Sequence, residues 1–293
     1  MKFPLLTFVV QAALLRACVA QRVEAKKSPG LWLWLSGQTD AAVEQIKSHS
    51  RIVTHVSYGG YSVSPSATFT GKTDKNMSDA LRKLRVERWP LIGGGSTTVL
   101  RALFKRPDAF ITAAVKEIQK EGFDGYNIDF EPYDHKGTNN DGLEFGIFLG
   151  KFANALHAVG KKLSVDYFSN LPVWNLGAMN SSSTDYFISM DTYVPGNATF
   201  EAYLNIARAK LNGARLGVGM CTGLRPSPFT PYGPDPCGLT NWTDADLVER
   251  FQYLDKLWST EEEQPFAMLN LWVLPLAENW WGILETYFGK WRR

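Results

Sequence analysis

Short apolar runs recur along the chain at residues 31–35, 52–58, 89–92, 123–131, 163–168, 186–193, 215–220 and 266–274. Each is too short for a helix and long enough for a strand. Amphipathic stretches lie between them. Residues 107–121 open on Pro107 and stop before Gly122. Residues 141–159 carry Leu143, Ile147, Phe148, Phe152, Ala155, Leu156 and Val159 on one face and stop before Gly160. Residues 200–212 stop before Gly213, and a further helix is expected near 244–259. Glycine ends a helix in the left-handed conformation without Cβ strain. Strand–helix units joined by tight turns require parallel strands. Eight such units in about 260 residues predict a closed (β/α)8 TIM barrel over an open doubly wound sheet. Such barrels place their chemistry at the C-terminal ends of the strands.

Composition narrows the partners. Of 293 residues, 45% are hydrophobic and 20% charged, which suits one globular domain. No linker, low-complexity tract or sequence repeat divides the chain. Lys+Arg is 31 against 29 for Asp+Glu, so no basic stripe offers itself to nucleic acid. No apolar stretch is long enough to span a membrane. Residues 1–20 read as a secretory signal peptide: Lys2 opens it, an apolar run follows, and Cys18-Val19-Ala20 supplies small residues before a cut. The domain then covers 21–293. Removal takes away Lys2 and Arg16, so 31 − 2 = 29 basic residues face 29 acidic ones. Cys18 leaves with the leader. Cys221 and Cys237 remain as an expected disulfide, closing a loop of about 17 residues worth about 3 kcal/mol in the chain-entropy model. Sequons begin at Asn76, Asn180, Asn197 and Asn241. Together with the leader they predict a secreted or lysosome-like glycoprotein. Nothing in the sequence demands a second subunit, and a monomer is expected.

The run at 123–131 carries the chemistry. Period two puts Asn127, Asp129 and Glu131 on one face and Tyr126, Ile128 and Phe130 on the other. In a barrel the polar face points inward, with alternate residues about 6–7 Å apart at Cα. Two interior carboxylates are costly unless paired or functional. Coupled, partly desolvated acids are how a carboxyl keeps its proton near neutral pH for general acid work. Glu131 comes last, nearest the catalytic end.

The segment Asp124-Gly-Tyr-Asn127-Ile-Asp129-Phe-Glu131 resembles the DGxDxDxE signature of family 18 glycoside hydrolases, the chitinase family. Leu91-Ile-Gly93-Gly94 sits where that family has SxGG. Met190-Asp191-Thr192-Tyr193 is similar to the segment carrying its tyrosine, and Leu271-Trp272 to that carrying its tryptophan floor. The resemblance implies the same barrel and substrate-assisted, retaining hydrolysis of β-1,4-linked N-acetylglucosamine, an exception to the two-carboxylate scheme. It gives Glu131 the role of general acid and base. Asp129 would orient the acetamido N–H, Tyr193 would hold the acetamido oxygen, and Trp272 would stack under the sugar. Gly94, Asp191 and Tyr133 are further candidates for the substrate site.

Three positions depart from the pattern. Asn127 replaces the first Asp of the DxD pair, as in the lysosomal di-N-acetylchitobiases, so Glu131 should be raised less than usual. Leu91 replaces Ser. Val194 stands where many members have Asp, and Asp191, two residues before Tyr193, is expected to face the same way and supply that carboxylate. Two alternatives remain open: an endo-β-N-acetylglucosaminidase acting on N-glycan cores, and a chitin-binding lectin on a degenerate barrel.

Other features carry less. His49, His55, His135 and His157 lack metal-ligand spacing and are expected to be surface or incidental residues, with His135 a candidate for the cleft. No metal or cofactor is implied. Tyr58, Tyr61 and Trp174 follow strand ends and could stack on sugar. Trp280 and Trp281 are expected to pack against the barrel. Residues 261–263 form a solvated acidic run. The span between the seventh and eighth runs is too short for a large α+β insertion, so a shallow cleft is expected.

Overall fold

The computed structural model of the chain describes residues 28–35, 40–132, 134–222, 242–260 and 264–292. The strands are β1 (Gly30–Leu35), β2 (His55–Val63), β3 (Phe69–Gly71), β4 (Glu87–Gly93), β5 (Gly125–Asp129), β6 (Lys162–Tyr167), β7 (Tyr186–Ser189), β8 (Leu216–Cys221) and β9 (Met268–Leu274). Among the described residues the helices are α1 (Asp40–Ser48), α2 (Lys75–Lys83), α3 (Thr97–Lys105), α4 (Asp108–Glu121), α5 (Asn139–His157), α6 (Leu176–Asn180), α7 (Asn197–Arg208), α8 (Asp244–Thr260) and α9 (Glu278–Gly289).

The sheet runs β1-β9-β8-β7-β6-β5-β4-β2, and β1 pairs with β2 to close it. All of these pairings are parallel, so the chain forms the expected (β/α)8 barrel. The ninth strand, β3, pairs antiparallel with β2 outside the ring and has no counterpart among the sequence runs.

Alternation along β1 explains the two layers of core. Every residue of GLWLWL is buried, as befits a parallel strand covered on both faces. Trp32 and Trp34 fill the barrel interior with Trp89, Ile188, Ala267 and Met268. Leu31, Leu33 and Leu35 join the larger cluster between strands and helices. Trp280 and Trp281 of α9 are buried in that outer layer, as expected.

Helix ends follow local chemistry. Gly122 and Gly160 sit at φ +66° and +70° just after α4 and α5, the role read from sequence. The third expected stop differs. Helix α7 ends at Arg208, and Gly213 opens a 3-10 turn instead of capping a helix. There the carbonyl of Gln264 lies where a Cβ would stand, so close approach of the chain explains that glycine. Helix α5 starts with a reciprocal capping box between Thr138 and Asp141. Arg101 of α3 grips the same Asp141 through two hydrogen bonds of 2.7 and 2.8 Å.

One of the four histidines lies inside the fold. His55 is buried at the N-terminal end of the barrel, stacked on Trp32 with centroids 4.9 Å apart. Period two along β2 turns it inward with Ser57, which accepts a hydrogen bond from Trp32 Nε1. His49 stacks on Trp281 at 4.0 Å. His135 is exposed, and His157 lies against Asp185. The leader, residues 261–263, Tyr133, Cys237 and Asn241 lie outside the described residues. No helix among the described residues is long and apolar enough to cross a membrane.

Candidate active site

The site is built at the C-terminal mouth of the barrel, around the end of β5. Strand β5 is held from both sides. Its neighbour β4 pairs Leu91 with Asn127 and Gly93 with Asp129. Its other neighbour β6 pairs Asn127 with Ser164 and Ile128 with Val165. Ahead of the strand, Asp124 accepts the Arg88 backbone N–H at 2.9 Å. On the outer face, Tyr126 donates to the Ala114 carbonyl of α4, and Phe130 packs on Phe145 and Phe148 of α5. The inner face is left to Asn127 and Asp129, and Glu131 stands just beyond the strand.

The loop after Glu131 is pinned. Asp134 accepts the Thr97 backbone N–H at 3.0 Å, and Arg101 donates to the Lys136 carbonyl at 3.0 Å. These bonds fasten the segment to the start and middle of α3 and hold Glu131 at the rim.

Asn127 is fully buried. Its Nδ2 donates to Ser164 Oγ at 2.8 Å and to Asp166 Oδ1 at 3.2 Å, both on β6. On the β4 side stands Leu91, which offers no partner, so the amide turns toward β6. Three buried acceptors in this region have no hydrogen-bond partner: Asn127 Oδ1, Asp129 Oδ1 and Asp166 Oδ2.

The electrostatics are those of crowded acids. Burial pushes the Glu131 carboxyl well above the usual carboxylate range, and the neighbouring Asp129 charge adds to it. Burial raises Asp129 in the same direction. Asp166 is pushed well up by burial, with Asp129 and then Glu131 adding their repulsion and the Asn127 bond opposing. No lysine, arginine or histidine among the described residues offsets the three. Burial, with the Asp129 charge added, raises Glu131 although Asn127 carries no charge.

Tyr193 belongs to the same cluster. Its phenol is raised by burial, and then by the charges of Asp166, Asp129 and Glu131. The ring passes so close to β8 that a Cβ on Gly219 would lie 2.2 Å from Tyr193 Cε1. Only glycine leaves that room. Asp191 goes elsewhere. Strand β7 ends at Ser189, and Tyr193 N–H turns back to the Met190 carbonyl, so strand alternation does not apply across 190–193. The Asp191 carboxylate accepts the Ser169 backbone N–H at 2.8 Å. It is Asp166, on β6, that lies with Asp129 and Tyr193. The sequence signal for it was the inward alternation Ser164 and Asp166 within Leu163-Ser-Val-Asp-Tyr167.

Trp272 is half-buried near the end of β9, edge-on to Trp34 at 5.4 Å. In the closed strand order β9 lies across the ring from β5. Gly94 follows β4 closely packed on β5: its N–H donates to the Asp129 carbonyl at 3.1 Å, and the Phe130 ring fills the space a Cβ would take. Tyr58, Tyr61 and Trp174 are buried, so they present no face to a sugar. Their rings pack under the helices and β3 because strand ends there are covered. No group of His, Cys, Asp and Glu among the described residues is arranged to hold a metal ion.

Of the expected modification sites, Asn76 is exposed in the first turn of α2. The carbonyls of Asn180 and Asn197 accept hydrogen bonds from Arg215 and Arg250. Cys221 is buried at the end of β8.

A scan against protein-family models finds no match, and neither does a search of curated proteins. Solved structures do match in fold. The spore cortex-lytic enzyme SleL of Bacillus megaterium superposes with a TM-score of 0.70 at 14% identity, over 90% of this chain and 75% of that one. A chitinase from Chromobacterium violaceum gives 0.66 at 15% identity, over 89% and 99%. Catalytic domain 2 of the Ostrinia furnacalis Group II chitinase gives 0.67 at 14% identity, over 89% and 97%. The barrel is thus one that chitinases use.

Proposed function

We propose that the chain is a retaining glycoside hydrolase that cleaves β-1,4 bonds on the reducing side of N-acetylglucosamine in chitin or chito-oligosaccharides. The observation that carries this reading is a buried, uncompensated carboxyl cluster at the barrel mouth, ending in a raised Glu131. The fold likeness supports it, and so does the Ostrinia furnacalis domain, whose E2180L mutant is described in complex with an N-acetylchito-oligosaccharide, (NAG)5.

Protonated Glu131 delivers its proton to the glycosidic oxygen as the C1–O bond breaks. The acetamido carbonyl oxygen of the same sugar attacks C1 from the other face and forms an oxazolinium, so no enzyme nucleophile is needed. Asp129 accepts the acetamido N–H, which aims that oxygen and balances the positive charge growing on the ring. Tyr193 donates its phenolic O–H to the acetamido oxygen. Trp272 supports the sugar from across the mouth. Glu131, now a carboxylate, takes a proton from water as its oxygen adds to C1, and two inversions leave the configuration unchanged.

Secretion or delivery to a lysosome-like compartment, a Cys221–Cys237 disulfide and glycosylation, with Asn76 the most accessible of the described acceptors, complete the proposal. Mass spectrometry of products from chitohexaose and from a mannose-rich N-glycopeptide, run beside Glu131→Gln, tests it. Short chito-oligomers that vanish in the variant support the chitinase reading. Cleavage of the glycopeptide alone moves the substrate to N-glycan cores. Sugar binding without any product makes the chain a lectin.

A further inference from the structure

Asp166 does not belong to the motif strand, yet the barrel brings it to the motif. The register that sets Asn127 opposite Ser164 and Ile128 opposite Val165 carries on to place Asp129 beside Asp166. Adjacent strands lie about 4.8 Å apart, and residues level with each other on one face are immediate neighbours. One level below, Asn127 spends its Nδ2 on Ser164 Oγ and Asp166 Oδ1, both on β6. What remains is an excess of acceptors: Asn127 Oδ1, Asp129 Oδ1 and Asp166 Oδ2 are all buried, and none has a donor. Buried acceptors left in this state are costly. One proton on the carboxyl pair turns an acceptor into a donor and removes one negative charge.

We propose that Asp166 is the inner carboxyl of this site, a positioning residue that shares one proton with Asp129 and supplies from the neighbouring strand the carboxyl that Asn127 cannot. The proposal rests on the hydrolase reading above and deepens it. In the resting site the proton lies between Asp129 and Asp166. When substrate arrives, Asp129 turns to accept the acetamido N–H and the proton stays on Asp166. The pair keeps a net charge of −1 throughout, which Asp129 presents to the forming oxazolinium. The ionisable groups facing Asp166 are Asp129 and Glu131 from β5 and the segment after it, and Tyr193 from the segment after β7.

The test compares wild type, Asp166→Asn and the double exchange Asn127→Asp/Asp166→Asn, with chitohexaose as substrate. Asp166→Asn should lower kcat on the order of 100-fold with KM little changed, and should move the acidic limb of the pH–rate profile. The double exchange returns a carboxyl to the level below Asp129 and should recover most of the lost kcat. Unchanged kcat and pH profile in Asp166→Asn, or a double exchange no better than the single one, overturns the proposal.

A second readout needs no turnover. In the Glu131→Gln background, infrared titration follows the protonated carboxyl band. A buried carboxylic acid should persist near neutral pH and disappear on Asp166→Asn. Its absence before that change overturns the shared proton. Should wild type hydrolyse nothing, the hydrolase reading falls, while this titration still decides whether Asp129 and Asp166 hold a proton together.

Discussion

At the N-terminal end of the barrel interior, Glu87 meets His55 Nε2 at 3.2 Å, Lys162 Nζ at 3.7 Å and Trp89 Nε1 at 3.1 Å. At the C-terminal end, Asp129, Asp166 and Glu131 meet one another and, among the described residues, no cation. The same barrel therefore moves its acids in opposite directions. Burial works against the Glu87 charge, but its bonds to His55 and the Lys162 and Trp89 contacts prevail and hold the carboxyl at about 2. Burial and mutual repulsion push the upper acids up. An acid given partners is architecture; acids left to repel one another in a mouth open to ligand are chemistry held at a cost in stability.

Glu131→Gln should cost about 10²–10⁴-fold in kcat, read from chito-oligosaccharide hydrolysis, because the amide can neither give nor take the proton. Gly219→Ala comes next. Its Cβ would drive into the Tyr193 ring and the Ser189 carbonyl, so the ring must shift. A fall in kcat on the order of tenfold to 100-fold is expected, with the fold retained by circular dichroism.

The stability effects are smaller and have opposite signs at the two ends. A carboxyl whose folded pKa lies above its unfolded value stabilises the fold only while protonated, so stability falls as pH rises from about 4 through the raised folded value. Glu131→Gln should therefore stabilise the fold at neutral pH by on the order of 1–2 kcal/mol, read as a higher Tm, and flatten the decline of Tm with rising pH. A variant less stable than wild type at pH 7 would mean that Glu131 is not strained. Glu87 has the reverse sign. Its depressed pKa contributes stability that is present above about 4 and lost as pH falls toward 2. Its side chain is 38% exposed, so solvent screens the gain. Glu87→Gln should cost about 1 kcal/mol or less at pH 6, and nothing by pH 2, in acid unfolding curves.

Much of this was written in alternation. The runs at 31–35, 163–168 and 266–274 lie on β1, β6 and β9 within a residue or two, because parallel strands covered on both faces must be apolar throughout. The run at 52–58 begins early, since Ile52 and Val53 pack from the turn before β2. Helices α1, α2, α3 and α6 were not read from the sequence; α1 and α2, DAAVEQIKS and KNMSDALRK, hold only two or three buried residues each, and α6 is five residues long. At the site, the polar face of β5 was legible because one strand carried it. Asp166 was not, although period two along β6 turns it inward, because it joins the β5 face only through the pairing of the two strands, which a linear sequence does not display. Asp191 misled for the converse reason. A period of two was extended past Ser189, where the strand had already ended.

Strands β5 and β6 pair in register, level with each other across the barrel wall. A parallel barrel stacks its interior in tiers, and each tier is assembled from several strands at once. A chemical group can then migrate sideways within its tier across generations while the tier keeps its composition. Linear motifs, which read along a strand, register such a move as a loss, whereas the cavity registers no change. Ancestry in barrels of this kind is better traced, and new sites better engineered, tier by tier than strand by strand.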